Sequence, residues 1–177
     1  MTMAQTPPVA IVVMGVQGTG KTTIGHLLAE RLGVPFIDGD SLHPARNVAL
    51  MTAGTPLDDA DREPWLRVVG ETITEHAKSG GVVVACSALK RAYRDALRAH
   101  APSLYTVAPW APIEVVAARV AARQHEYMPT TLLQSQYDTL EPLAADELGI
   151  RVSVEQTPEA VIEEILTDYR SHIGGAA

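Results

Sequence analysis

A chain of 177 residues that is 46% hydrophobic and 20% charged can close one full core and is too apolar to stay disordered. Its formal charge of -7 argues against a nucleic-acid or anionic-membrane partner, since either calls for a basic face. The single cysteine, Cys86, excludes an intrachain disulfide and fits a cytoplasmic setting, and the opening residues lack the basic and apolar regions of a secretory signal.

Residues 9–14 form a continuous apolar run, the pattern of a strand buried on both faces. Residues 22–32 read as a helix that Gly33 ends, and 34–37 as a second short strand. Between 44 and 79 the spacing predicts helices, with Trp65, Val69, Ile73 and Ala77 in one apolar stripe. Residues 82–86 read as a third strand, with a helix from about Lys90 to His100 after it. A fourth strand over 104–107 is followed by a helix that Pro112 opens. A helix over 131–140, a fifth strand over 150–154 and a closing helix carrying Val161, Ile165 and Tyr169 complete the chain. Such alternation means an α/β fold, a parallel sheet with helices on both faces. Ligands of such sheets bind beyond the carboxyl ends of the strands. Gly15, Asp38, Asp40, Ser87 and Trp110 all lie at or just past those ends.

Gly15-Val16-Gln17-Gly18-Thr19-Gly20-Lys21-Thr22 matches the phosphate-binding P-loop pattern G-x-x-x-x-G-K-[ST] in full. Its glycines let successive amides turn inward onto phosphate oxygens. The helix that follows, with Thr23 in its first turn, adds its positive end. Lys21 is expected to reach the β- and γ-phosphates of ATP, and the Thr22 hydroxyl to ligate Mg2+. A carboxylate for the metal usually closes a neighbouring strand, but the third strand ends Val84-Ala85-Cys86-Ser87. The nearest acids stand in Phe36-Ile37-Asp38-Gly39-Asp40. In an extended segment Asp38 and Asp40 project to one side. Asp38 is then expected to support the metal, and Asp40 to accept or position the proton of an attacking hydroxyl. The alternative is a turn with helix-capping acids.

Asp38-Gly39-Asp40-x-Leu42-His43-Pro44-x-x-Asn47, with Met51-x-x-Gly54-x-Pro56-Leu57-x-Asp59-x-Asp61-Arg62-x-Pro64-Trp65-Leu66, resembles the gluconokinase family. Cys86-Ser87-Ala88-Leu89-Lys90 with Tyr93-Arg94-Asp95 is similar to it too, as is Leu132-Leu133-x-Ser135-Gln136 with Thr139-Leu140-Glu141. The likeness runs from about residue 10 to 168. It implies a five-stranded parallel sheet of order 2-3-1-4-5 in one kinase domain spanning 1–177, a mobile lid over about 119–140, and flexible ends at 1–7 and 171–177. It also implies ATP, Mg2+, phosphoryl transfer to the 6-hydroxyl of D-gluconate, and a homodimer. One stretch departs from the family: Arg123-Gln124-His125-Glu126-Tyr127-Met128-Pro129 has His125 where the family has glycine and Glu126 where it has histidine. That leaves open a kinase for another sugar acid or polyol. A non-catalytic nucleotide-binding regulator is a third reading, against which the retained carboxylates speak.

A sugar acid needs donors for its carboxylate. Lys90 and Arg94, spaced i,i+4 on one helix, together with His43 and Arg46, are the expected ligands. Arg119 and Arg123 are placed like lid arginines that neutralise the transferring phosphoryl group, Arg119 also touching the nucleotide. The segment at Thr157 and Pro158 is expected beside the adenine. Arg91, pairing with Asp95, and Arg98 read as a solvated face, and His26, His76, His100 and His172 as surface. Met51, Trp65 and Leu66 read as packing, and Trp110 either borders the pocket or packs.

Overall fold

The computed structural model describes residues 6–123 and 130–174. Five strands, β1 (Val9–Val13), β2 (Phe36–Asp38), β3 (Gly81–Ala85), β4 (Tyr105–Trp110) and β5 (Gly149–Ser153), alternate with helices. The helices are α1 (Lys21–Leu32), α2 (Ala45–Thr52), α3 (Asp59–Ala77), α4 (Arg91–His100), α5 (Ile113–Ala122), α6 (Thr130–Thr139) and α7 (Pro158–Gly174). The sheet is parallel throughout, in the order β2-β3-β1-β4-β5 implied by the family resemblance.

Successive strand residues feed opposite cores. Ile11, Val13, Val83 and Val107 pack with Ile24, Leu28, Val116, Val161 and Ile165 of α1, α5 and α7. Ala10, Val12, Val82 and Val84 pack with Trp65, Val69, Ile73 and Leu97 of α3 and α4. β-Branched residues suit these positions because both faces of a pleated central strand are covered. Each fully buried valine or isoleucine stabilises the fold by about 1.5–3 kcal/mol. Trp65, Val69 and Ile73 of the expected stripe are buried, and Ala77, at the helix end, is half-buried.

Two boundaries differ from the sequence expectation by more than one residue, each for a local reason. β2 begins at Phe36 rather than 34 because the N–H groups of Gly33 and Val34 close α1 on Ala29 O. β4 continues to Trp110 although Pro109 has no N–H. β1 pairs with β4 only as far as Val107, and Pro109 lies beside Val152 of β5 alone. The last helix runs to Gly174, and on it His172 meets Asp168 at 3.3 Å.

Candidate active site

The phosphate loop starts pinned between two strand ends. Met14 N–H donates to Val107 O at 2.9 Å and Gly15 N–H to Ser87 O at 3.0 Å. Gly18 has φ 86°, in the left-handed region that glycine tolerates best. A Cβ there would stand 2.6 Å from Val120 Cγ2 and 3.1 Å from Val116 Cγ1, so only glycine lets the loop lie against α5. Thr19 Oγ1 donates to Val16 O at 2.8 Å inside the loop. Lys21 Nζ donates to Gly15 O and Val16 O at 2.8 and 3.0 Å. Burial lowers the pKa of that ammonium, and the negative charge of Asp40, with a smaller contribution from Asp38, opposes the shift. The two acids after β2 therefore act on the lysine of the loop. Thr22 and Thr23 are exposed at the head of α1.

Asp38 ends β2 opposite Ala85. Its Oδ1 accepts from Asp40 N–H at 3.0 Å, capping a 3-10 turn over Gly39–Leu42, so it serves as a capping acid as well. Gly39 is pressed onto the β3 exit: a Cβ there would lie 2.5 Å from Ala85 O. Trp65 Nε1–H donates to Gly39 O at 2.8 Å and fixes the turn from below. The Asp40 carboxylate stays exposed.

His43 follows this turn, its ring stacked on Trp65 at 4.2 Å. Its Nδ1 lies 3.2 Å from Asn47 Nδ2, and Asn47 Nδ2 donates to Asp61 O at 2.8 Å. With an amide donor facing Nδ1, the network assigns the ring proton to Nε2. Burial holds the His43 pKa below the ordinary imidazole value, with Asp40 opposing the shift and Arg62 reinforcing it. At neutral pH His43 is therefore an uncharged Nε2–H donor.

The cations around the cleft meet different fates. Arg46, 76% exposed, pairs with Asp61 at 3.2 Å. Lys90 Nζ pairs with Asp59 at 3.0 Å, and the Tyr93 hydroxyl donates to the same carboxylate. Arg94 is a correction. Its side chain is 1% exposed. Nε and Nη2 bind Glu147 at 2.7 and 3.0 Å, while Nη1 donates to Ala88 O and Leu89 O at 3.0 and 3.2 Å. With its donors engaged inside the protein, Arg94 holds the loop after β3 and cannot reach a ligand in the cleft. Lys90, at i,i+4 from Arg94, is the N-cap of α4, with φ -94° and ψ 145°, and does not share its helical face. Ala88 in the same loop has φ 38°, a conformation held in place by these bonds.

Arg98 is a second correction. It is 19% exposed and bonds Glu147 and Asp95, both at 2.7 Å. Arg91 meets Asp95 at 3.6 Å, as expected, and forks onto Asp146 at 2.6 Å. Burial alone would raise the Glu147 carboxyl, but hydrogen bonds from Arg94, Ala144 N–H and Arg98 bring it down to about 2.

On the other side of the loop, Arg119 donates to Val154 O just past β5. Thr157 caps α7 by accepting from Ala160 N–H at 3.2 Å, and Pro158 is the first helical residue. Arg123 is the C-cap of α5. The altered positions His125 and Glu126 lie outside the described residues. Trp110 borders a cavity of about 130 Å³ that also touches Gly15 and Tyr137, with the Arg151 guanidinium 3.9 Å over its ring. Met51 is exposed, unlike the buried Trp65 and Leu66. Arg62, not among the expected ligands, lies over the Tyr93 ring at 5.6 Å and donates to Leu57 O at 3.1 Å. The signal for its placement was Asp58-x-x-Asp61, the capping box that opens α3.

A family model described as shikimate kinase matches residues 17–170. The gluconokinase of Gluconobacter oxydans is 46% identical over 165 residues, 93% of either chain. The chain belongs to the gluconokinase family. A crystal structure of a gluconokinase from Sinorhizobium meliloti matches with a TM-score of 0.87 at 42% identity, covering 96% of this chain and 95% of that one. Shikimate kinase from Aquifex aeolicus, at 21% identity and a TM-score of 0.61 over 93% of this chain and 98% of its own, shares the fold. In this gluconokinase-family chain the acids nearest the β3 exit sit one strand over, at the end of β2. No described helix is long and apolar enough to cross a membrane.

Proposed function

We propose that this protein transfers the γ-phosphoryl group of ATP to the 6-hydroxyl of D-gluconate, giving ADP and 6-phospho-D-gluconate. The observation that carries the reading is that Gly15, opening the phosphate loop, bonds Ser87 O just past β3 while Asp38 ends β2 beside Ala85 of that same strand: phosphate loop and carboxylates share one edge of the sheet. The amides of Gly18, Thr19, Gly20, Lys21, Thr22 and Thr23, at the positive end of α1, suit the phosphates, while those of Gly15 and Gln17 hold the loop to Ser87 and Gln136. Mg2+ needs only one or two protein oxygens beside phosphate, which the Thr22 hydroxyl and the Asp38 carboxylate can supply. When bound, it would neutralise phosphate charge. Among the described residues there is no cluster of three or more His, Cys, Asp or Glu of the kind a metal site independent of ATP would use.

In this reading Asp40 accepts or orients the proton of the 6-hydroxyl. The His43 Nε2–H donates to a neighbouring hydroxyl. Arg46 and Lys90 exchange Asp61 and Asp59 for the carboxylate of the sugar acid. Arg119 and Arg123 bring positive charge to the transferring group, Arg119 reaching it from the β5 exit, where Thr157 and Pro158 border the adenine. Catalysis is then positioning plus charge stabilisation. The reading includes one domain with a lid over about 119–140, a homodimer and a cytoplasmic location.

The direct test is mass spectrometry of a reaction holding ATP, Mg2+ and gluconate, beside other aldonates and shikimate. Gluconate should yield the phosphorylated acid and lead the series. Asp40→Asn should lower turnover by about 10²–10⁴. Near-wild-type turnover of that variant would remove the role given to Asp40.

A further inference from the structure

The segment 132–141, most of it within the proposed lid, supplies no group to the chemistry above, yet its bonds clip α6 to several functional places. The N–H of Gln17, inside the phosphate loop, donates to Gln136 Oε1 at 2.7 Å. The Tyr137 hydroxyl donates to Ala111 O at 2.7 Å, just before α5. Two residues past the helix, Glu141 N–H donates to Leu89 O at 2.8 Å. The Glu141 carboxylate accepts from Arg91 N–H, also at 2.8 Å. That amide opens α4, whose N-cap Lys90 makes no side-chain cap. A carboxylate satisfies such an amide and suits the positive end of the helix.

One short element therefore touches the phosphate loop, the base of α5 and the turn that presents Lys90. The loop is the part that most needs holding. Gly18 follows Gln17 with φ 86°, and a glycine offers little steric resistance to rotation of its neighbouring peptides. An acceptor on the Gln17 N–H removes that freedom. In the same way Glu141 holds both ends of the short step from Leu89 to Arg91, between which Lys90 is fixed.

We propose that α6 is a positioning strut: Gln136 sets the phosphate loop for ATP, and Glu141 sets the Lys90 turn for the acceptor. The proposal rests on the reading of 15–22 as the ATP site and of Lys90 as an acceptor contact. Packing alone would appear only in stability; positioning splits by substrate.

Gln136→Leu keeps the size and removes the acceptor. Glu141→Ala removes the carboxylate, and Glu141→Gln keeps an oxygen for Arg91 N–H. For each variant, thermal unfolding, the Kd for ATP by calorimetry and the KM for gluconate are measured. Gln136→Leu should weaken ATP by about tenfold with the gluconate KM within about twofold of wild type. Glu141→Ala should do the reverse, and Glu141→Gln should restore most of the gluconate KM. The proposal is overturned if Gln136→Leu and Glu141→Ala lower Tm but leave both constants within about twofold of wild type. It is equally overturned if the effects fall on the wrong substrates, or if Glu141→Gln is as damaged as Glu141→Ala. Should the wild-type chain bind ATP but not phosphorylate gluconate, the acceptor reading fails instead, and the ATP titration still decides the role of Gln136.

Discussion

On the nucleotide side of the cleft, consecutive residues build the site from backbone amides, and Lys21 is steadied by carbonyls of its own loop. On the acceptor side the groups come from separate segments, and Arg46 and Lys90 already face Asp61 and Asp59. A phosphate arriving at the loop displaces no internal anion from those amides. In the proposed reading a sugar acid must compete with the chain's own carboxylates. Its affinity is then the surplus over two partly exposed ion pairs, each worth little. Nucleotide binding should dominate the energetics, and acceptor binding should be weaker and more sensitive to salt.

The largest test of that contrast is Lys21→Ala, which should reduce turnover to below about one-thousandth of wild type in a coupled ADP-release assay. Substantial activity in that variant would dissolve the distinction. Next comes the buried cation behind the loop after β3. Glu147→Gln leaves Arg94 charged and short of its partner, and should cost about 3–5 kcal/mol in urea unfolding. A loss below about 1 kcal/mol would mean that water reaches Arg94. Lys90→Met should raise the KM for gluconate by about tenfold and leave that for ATP alone. A change in the ATP constant would merge the two sides.

The smallest effect is in acid. The Glu147 carboxyl sits at about 2 in the fold against an ordinary value of 4.5. A depressed carboxyl contributes stability that is complete above its ordinary value and is lost as pH falls through the folded one. The stability gap between wild type and Glu147→Gln should therefore hold steady above about pH 5 and narrow from there toward pH 2.

How far the chain could be read from its letters follows the same division. The P-loop was legible because its conformation is a property of adjacent residues, three of them glycine. The valine-rich strands were legible because a central parallel strand is apolar on both faces. Arg94 was not, because a cation at the right spacing looks the same whether it faces solvent or a buried carboxylate. Its partner Glu147 lies 53 residues away. Lys90 was placed on a helix that begins one residue later. Gln136 was visible only as a letter in a motif, since its work is to receive an amide 119 positions earlier.

Cys86 lies behind the turn at Gly39, where a Cβ would come within 3.3 Å of it, and burial pushes its thiol up to about 12. It is the sole sulfhydryl in the sequence. A thiol-directed reagent meets a reactive thiolate there only when the packing around Cys86 opens locally. The chain thus carries its own clock for that event, readable by the pace of alkylation with no dye or engineered label.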